Sequence, residues 1–278
     1  MGYYPGSHGP AIYDLNFDWG RQSAKIMVDS IKGMIPIGAR ILDVGTGTGN
    51  LAIALASVAQ ESTVIGIDIE VNALHLARHK AELECIRNVT FQKGDAYSID
   101  FPDSAFDVLA ANQLFGDQEK ILDQMIRVLR PGGLIALVRP HSPRSAMLEW
   151  RNETLKEFAK RQQSKVPIEG MMMHSYSAPV VFQEMLAKRH MESIQVQEID
   201  APQGDGWPQH MLTLLNSDHP FAGIKKNIAA IQQIDVENEE AITVSFYDFL
   251  QISIEQLKSR FGGMVNTSFL LAIARKGK

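Results

Sequence analysis

The sequence predicts an α/β fold built on a doubly wound parallel sheet, and three observations carry that reading. Short apolar runs alternate with helical patterns along the first half of the chain. A glycine-rich turn joins the first of these runs to a helix in the stretch Ile41-Leu42-Asp43-Val44-Gly45-Thr46-Gly47-Thr48-Gly49-Asn50. The 278 residues, 45% hydrophobic, suffice for one full α/β core with a single elaboration, whereas two large domains would be a stretch.

The elements follow in order. Ser23–Ile31 reads as an amphipathic helix with Ile26, Met27 and Ile31 near one face. Ile41–Val44 is the first strand. Gly45, Gly47 and Gly49 can take positive φ and let a ligand approach bare backbone, and Leu51–Ala56 starts a helix whose first N–H groups lack partners. Ser62–Ile67 is a second strand ending in Asp68, roughly 20 residues past the loop, where such folds place an acid on ribose hydroxyls. Val89–Lys93 is the third strand, followed by Gly94-Asp95-Ala96, and Phe106–Asn112 is the fourth. Arg127-Val128-Leu129-Arg130-Pro131-Gly132-Gly133 stops a helix and turns the chain into Leu134–Val138, the fifth. Ala178–Lys188 can form a helix, Ser193–Ile199 a sixth strand and Ser268–Ala274 a seventh.

The loop is not a dinucleotide fingerprint. That pattern wants Gly-x-Gly-x-x-Gly or Ala, but the sixth position is Asn50 and the third glycine falls one place early at Gly49. Asp43 would oppose a phosphate group, yet it suits a ligand carrying an ammonium and a sulfonium. The run Asp-x-Gly-x-Gly-x-Gly resembles motif I of the class I S-adenosylmethionine-dependent methyltransferases. The acid after the second strand, the acidic turn at Asp95 and the Pro-Gly-Gly corner also resemble that family's motifs, so the likeness covers roughly residues 38–140.

The resemblance implies a seven-stranded, mostly parallel Rossmann-like sheet whose seventh strand runs antiparallel between the fifth and sixth. It also implies S-adenosyl-L-methionine as cofactor. The contacts it assigns are Asp43, Gly45, Thr46, Gly47, Gly49 and Asn50 in the loop, Asp68 and Ile69, Asp95 and Ala96, Asn112, and Tyr13 from the N-terminal segment. Where relatives commonly show a glycine and an aromatic before the sixth strand, this chain has Arg189-His190-Met191.

Residues 1–37 resemble the N-terminal lid of small-molecule methyltransferases, with Tyr13, Phe17 and Trp19 either closing over the cofactor or packing on the sheet edge. The core is expected over 38–200 and 267–278. Between them, 201–266 is a helical insertion, one pattern running from Pro220 to Ile231 and another from Glu237 to Leu257. Its apolar faces need a partner, either the active-site mouth as a cap or a second subunit in a homo-oligomer.

Composition narrows the function classes. A net charge of −5 argues against a nucleic-acid partner, and Asn112-Gln113-Leu114-Phe115 lacks the Pro-Pro-aromatic sequence with which base-amino methyltransferases hold a flipped base. No apolar run approaches a membrane span and no export signal is read, so the cytoplasm is expected. The single Cys85 excludes multi-cysteine chemistry.

Methyl transfer needs an in-line nucleophile in a dry pocket, and a base only where the acceptor must lose a proton. His141, just past the fifth strand, and His174, in Met171-Met172-Met173-His174, are the candidate bases. His75 and His79 stand one helical turn apart but have no third ligand, and Ala110–Gln113 supplies no acidic ligand, so no metal is expected. The reading is methyl transfer to a small, partly apolar molecule at O or N. The alternatives are a nicotinamide-dependent oxidoreductase and a non-catalytic S-adenosylmethionine-binding regulatory protein.

Overall fold

The computed structural model describes residues 18–114, 116–140, 146–168, 179–202, 223–235, 237–261 and 266–278. They form two compact units, one around a β-sheet and one helical.

The sheet unit begins with α1 (Asp18–Ile31), followed by a short 3-10 turn at Lys32–Met34. Then come β1 (Arg40–Val44), α2 (Asn50–Val58), β2 (Thr63–Asp68), α3 (Val71–Leu83), β3 (Val89–Lys93), β4 (Phe106–Asn112), α4 (Gln118–Val128) and β5 (Leu129–Pro140). After the segment that enters the helical unit, α6 (Pro179–Ala187), β6 (Met191–Pro202) and β7 (Asn266–Lys276) complete it. Strand order is β3-β2-β1-β4-β5-β7-β6. β1 to β5 pair in parallel, and β7 runs antiparallel to β5 with Leu134 opposite Arg275 and Pro140 opposite Phe269. The order reverses between β1 and β4, which puts the crevice for a ligand at the C-terminal ends of β1, β2 and β4.

The central strands are buried on both faces because helices cover both sides, so β1 and β4 read as continuous apolar runs rather than alternating ones. The fifth strand is longer than the sequence predicts. Phe106 pairs with Leu129 but Val108 with Leu134, so the Arg130–Gly133 corner is accommodated as an irregularity, with Gly132 at a φ of +72°. The turn before β6 is made without glycine: His190 itself takes a φ of +57° at the end of α6, and its carbonyl accepts from the Gly277 N–H at 3.1 Å.

α1 is a core helix of the sheet unit, with Ala24, Met27, Val28 and Ile31 buried and contacts to α2, β4 and β5. Its position is fixed by polar atoms as well. Ser23, fully buried, donates to Asn112 Oδ1 at 2.9 Å and accepts from Gln113 Nε2 at 3.0 Å, while Asn112 Nδ2 donates to the Gly20 carbonyl at 2.8 Å.

The helical unit contains α5 (Ala146–Arg161), α7 (Gly223–Gln232) and α8 (Glu239–Phe261). α5 is absent from the sequence reading, which leaves that stretch in the sheet core. Instead it packs on α8: Trp150 Nε1 donates to the Ser253 carbonyl at 2.7 Å, and the Phe158 and Phe249 rings meet edge to face at 5.6 Å. Arg260 with Glu153 at 2.6 Å and Arg161 with Glu255 at 2.8 Å flank this seam.

Candidate active site

The glycine loop leaves β1 at Val44 and is lashed to the end of β2. Gly45 and Thr46 N–H both donate to the Ile67 carbonyl at 2.9 Å, and Gly47 N–H donates to Asp68 Oδ2 at 2.8 Å. Gly49 N–H turns back on the Thr46 carbonyl at 2.9 Å, and the Gly49 carbonyl accepts from Ile53 N–H to start α2. Gly45, Gly47 and Gly49 lie at φ of +71°, +54° and +82°, a left-handed alternation that a side chain would strain.

Four loop N–H groups are thus satisfied internally, and the loop is not a cradle of free donors for a diphosphate. The side chains beside it are carboxylates. Asp68 accepts from Gly47 N–H on one oxygen and from Glu70 N–H at 2.9 Å on the other, which fixes its rotamer and leaves each oxygen a further lone pair. Burial raises its pKa, and the Glu70 and Gly47 N–H groups oppose the rise.

Asp43 is the acid of β1, one of the expected cofactor contacts. It is 1% exposed beneath the loop, with Oδ2 accepting from the Thr46 hydroxyl at 2.7 Å and Oδ1 buried without a hydrogen-bond partner. Burial pushes its pKa up to about 7; the Thr46 hydroxyl lowers it and the Asp68 charge raises it. Because the folded value lies above the ordinary 3.8, the native state keeps a proton that the unfolded chain has lost. This group's contribution is therefore full below pH ~4 and is lost as pH rises through ~7. Asp43→Asn, which keeps an acceptor for Thr46, is expected to gain stability relative to the parent across that window. Urea midpoints of both proteins at acidic and mildly alkaline pH check this, and a constant difference would contradict it.

Other expected contacts are distributed as follows. Ile69, at the tip of β2, is 54% exposed, an apolar side chain left in solvent beside the loop. Asp95 is exposed, and its Oδ1 accepts from Tyr97 N–H at 2.8 Å, shaping the turn that carries half-buried Ala96. Asn50 accepts from Lys80 of α3, and the Asn112 amide is engaged at both ends by α1. Tyr13, His141 and His174 lie outside the described residues.

The structure adds residues that the sequence reading passed over. Gln113 takes a φ of +62° and is 5% exposed, with Oε1 unpartnered. Leu114 occupies the space that a Cβ on Gly45 would need. Leu114 also lines a small cavity of about 20 Å³ beneath the ends of β4 and β5, bordered by Gln118, Leu137, Arg139, Phe182 and Met185. A charged residue closing the apolar run Leu134–Val138 was the available signal for Arg139.

A family model described as a methyltransferase domain matches residues 37–178, which is half of the chain and takes in the loop, the β2 acid and β1 to β5. The chain belongs to the methyltransferase-domain family. This methyltransferase-domain protein is 42% identical to the demethylmenaquinone methyltransferase of Thermus thermophilus over 111 residues, 38% of this chain and 50% of that protein. Over 113 residues it is 34% identical to the uncharacterized methyltransferase YcgJ of Bacillus subtilis, covering 40% and 44% of the two chains. Such matches span about half the length of the curated relatives.

Among solved structures, YcgJ from Bacillus subtilis superposes with a TM-score of 0.58 at 18% identity, over 92% of this chain and 99% of that one. A Haemonchus contortus phosphoethanolamine N-methyltransferase in complex with S-adenosyl-L-methionine superposes at 0.58 and 18% identity, over 98% and 58%. At that identity the likeness establishes the shared fold, the seven-stranded class I methyltransferase sheet.

Proposed function

We propose that this chain transfers a methyl group from S-adenosyl-L-methionine to a small, partly apolar acceptor. The observation that carries the reading is electrostatic. A glycine loop whose N–H groups are consumed internally, flanked by the poorly solvated carboxylates of Asp43 and Asp68, disfavours a diphosphate and favours a cationic ligand. The unpartnered buried Asp43 Oδ1 fits that requirement, since a nearby positive charge offsets the cost of its ionisation. S-adenosyl-L-methionine supplies an electrophilic methyl on sulfonium.

The chain's own part is to bind and orient. Asp68 accepts the ribose hydroxyls on its remaining lone pairs, with the Gly47 and Glu70 N–H groups holding it for that task. Ile69 and Ala96 offer the adenine an apolar border, and Asp95 accepts from its amino group. The bare backbone of Gly45 and Gly47 admits the methionine portion, and Asp43 sets the field beneath it through Thr46. O or N is the acceptor atom in this reading, with His141 and His174 as the groups that would take a proton from a hydroxyl. The helical insertion is assigned to the acceptor rather than the cofactor.

Calorimetry with S-adenosyl-L-methionine, NAD and NADP tests the reading. The expected result is saturable binding of the first and none of the other two. Binding of NAD or NADP alone would instead establish the oxidoreductase alternative. Cofactor binding without turnover across a broad panel of hydroxyl and amine acceptors would establish the non-catalytic one.

A further inference from the structure

Among the described residues, seven that are not glycine take a positive φ, and six of them, such as Cys85 and His190, are exposed. The seventh, Gln113 at +62°, is buried at the end of β4. It carries a second cost, because its side-chain Oε1 is buried without a hydrogen-bond partner. Neither cost is needed to end a strand. Glycine takes this backbone freely, and an apolar side chain would leave no amide oxygen unpaired. Strain retained in this way, beside a glycine loop, points to a role for the residue.

Two hydrogen bonds hold Gln113 in place. Its N–H donates to the Val138 carbonyl at 2.8 Å, which extends the β4–β5 pairing one residue beyond Asn112, and its Nε2 donates to the buried Ser23 hydroxyl of α1 at 3.0 Å. The next residue is fastened by α4, where Gln118 Nε2 donates to the Leu114 carbonyl at 2.9 Å. The consequence is the placement of one side chain. A Cβ on Gly45 would collide with Leu114 Cδ1, so the leucine rests on bare backbone at the start of the loop. The loop is therefore held from two sides. β2 holds it by hydrogen bonds, through the Ile67 carbonyl and Asp68, and β4 holds it through Leu114, whose position is set at Gln113.

We propose that Gln113 is a positioning residue for the cofactor loop: tied to Ser23 of α1, it turns the chain so that Leu114 packs on Gly45 and keeps the loop in the form that binds S-adenosyl-L-methionine. This rests on the methyltransferase reading above and gives α1 a part in cofactor binding that needs no contact with the cofactor. A loop ordered in advance spares the ligand the entropy of ordering it, so affinity is the quantity that the tie raises.

Gln113→Asn in the full chain tests this. Asparagine tolerates the left-handed backbone, but its amide is one methylene too short to reach Ser23. Loosening is read without ligand, as amide hydrogen exchange at Gly45–Gly47 compared with the β1–β2 and β1–β4 ladders, and affinity is read by calorimetry with S-adenosyl-L-methionine. The expected result is ~3- to 10-fold faster exchange confined to the loop and a ~3- to 10-fold rise in Kd, the size of one net hydrogen bond. Leu114→Ala should reproduce both effects, and Gln113→Asn should add nothing in that background, since the tie acts through Leu114. Gln113→Gly, which takes the turn without strain, should show the same two effects and stands in if the asparagine variant does not fold. Unchanged loop exchange, exchange raised equally throughout the sheet, an unchanged Kd in a protein that binds the cofactor, or additive effects of the two substitutions would each overturn the proposal. A looser loop in the variants of a chain that does not bind S-adenosyl-L-methionine would leave the Gln113–Leu114 tie standing and sink the cofactor reading. Binding by the parent with neither effect in the variants would do the reverse.

Discussion

Asp68→Ala is expected to weaken S-adenosyl-L-methionine binding by about 1.5–3 kcal/mol, or ~10- to 150-fold in Kd, the range for hydrogen bonds to a charged group. The loss has two sources. The variant has no carboxylate to accept the ribose hydroxyls, and it releases the Gly47 and Glu70 N–H groups that Asp68 now holds at 2.8 and 2.9 Å. Freed from that tie, the middle of the loop must be ordered by the ligand itself, which costs further affinity. Asp68→Asn is not a rescue. Its amide has one acceptor and one donor end, so one of the two backbone N–H groups would face an N–H, and the ribose would find a single acceptor oxygen. Calorimetry on both variants, with circular dichroism to establish folding, measures the effect. An unchanged Kd in folded Asp68→Ala would remove Asp68 from the cofactor site.

Gly49→Val is expected to strike stability rather than binding alone. At a φ of +82° an L-residue costs about 1–2 kcal/mol. The added Cβ would lie 2.8 Å from Ala77 Cβ on α3 and 2.9 Å from Phe91 Cζ on β3, and overpacking of that kind costs about 1–3 kcal/mol more. Neither neighbour can swing away. Ala77 has no torsion to rotate, and Phe91 is 7% exposed against the strand beneath. Together the terms lower the thermal midpoint by ~10 °C for a chain of this size. Gly49→Ala, with the same Cβ and no branch, should give most of the shift, which separates the backbone and first-carbon terms from the bulk of valine. A midpoint within about 2 °C of the parent for valine would mean that α2 does not start against α3 and β3 as described.

Both predictions concern residues that were legible in the sequence, and the reason is that their chemistry is local. The loop between β1 and α2 must reverse direction within a few residues, so its glycines declare themselves, and the acid ending β2 stands at a distance set by one β-α-β unit. The fourth strand falls at Phe106–Asn112 as read, because a continuous apolar run suits a strand buried on both faces, and the third at Val89–Lys93, whose alternating burial suits the sheet edge. The antiparallel seventh strand was implied by the family likeness and is found between β5 and β6.

Other features had no local signature. Nothing in the neighbours of Asp43 records how deeply it is buried, and only the packing around β1 leaves it 1% exposed. Asn112 looked available at a strand end, yet α1, some 90 positions earlier, takes both ends of its amide. The helix over 146–161, absent from the sequence reading, finds its partner in α8 only through the fold of the helical unit, which brings Trp150 and Ser253 together.

The sequence by itself determined the sheet, the glycine loop and the paired acids beside it, because backbone conformation, strand burial and the spacing of a β-α-β unit are written in neighbouring residues. Only the tertiary structure decided that Asp43 is desolvated, that Asn50 and Asn112 hydrogen-bond to neighbouring helices, and that Arg139 lies beside Phe182 and meets no carboxylate among the described residues. Burial and charge pairing depend on which distant segments surround a side chain, and a residue's own neighbours in sequence carry no record of that.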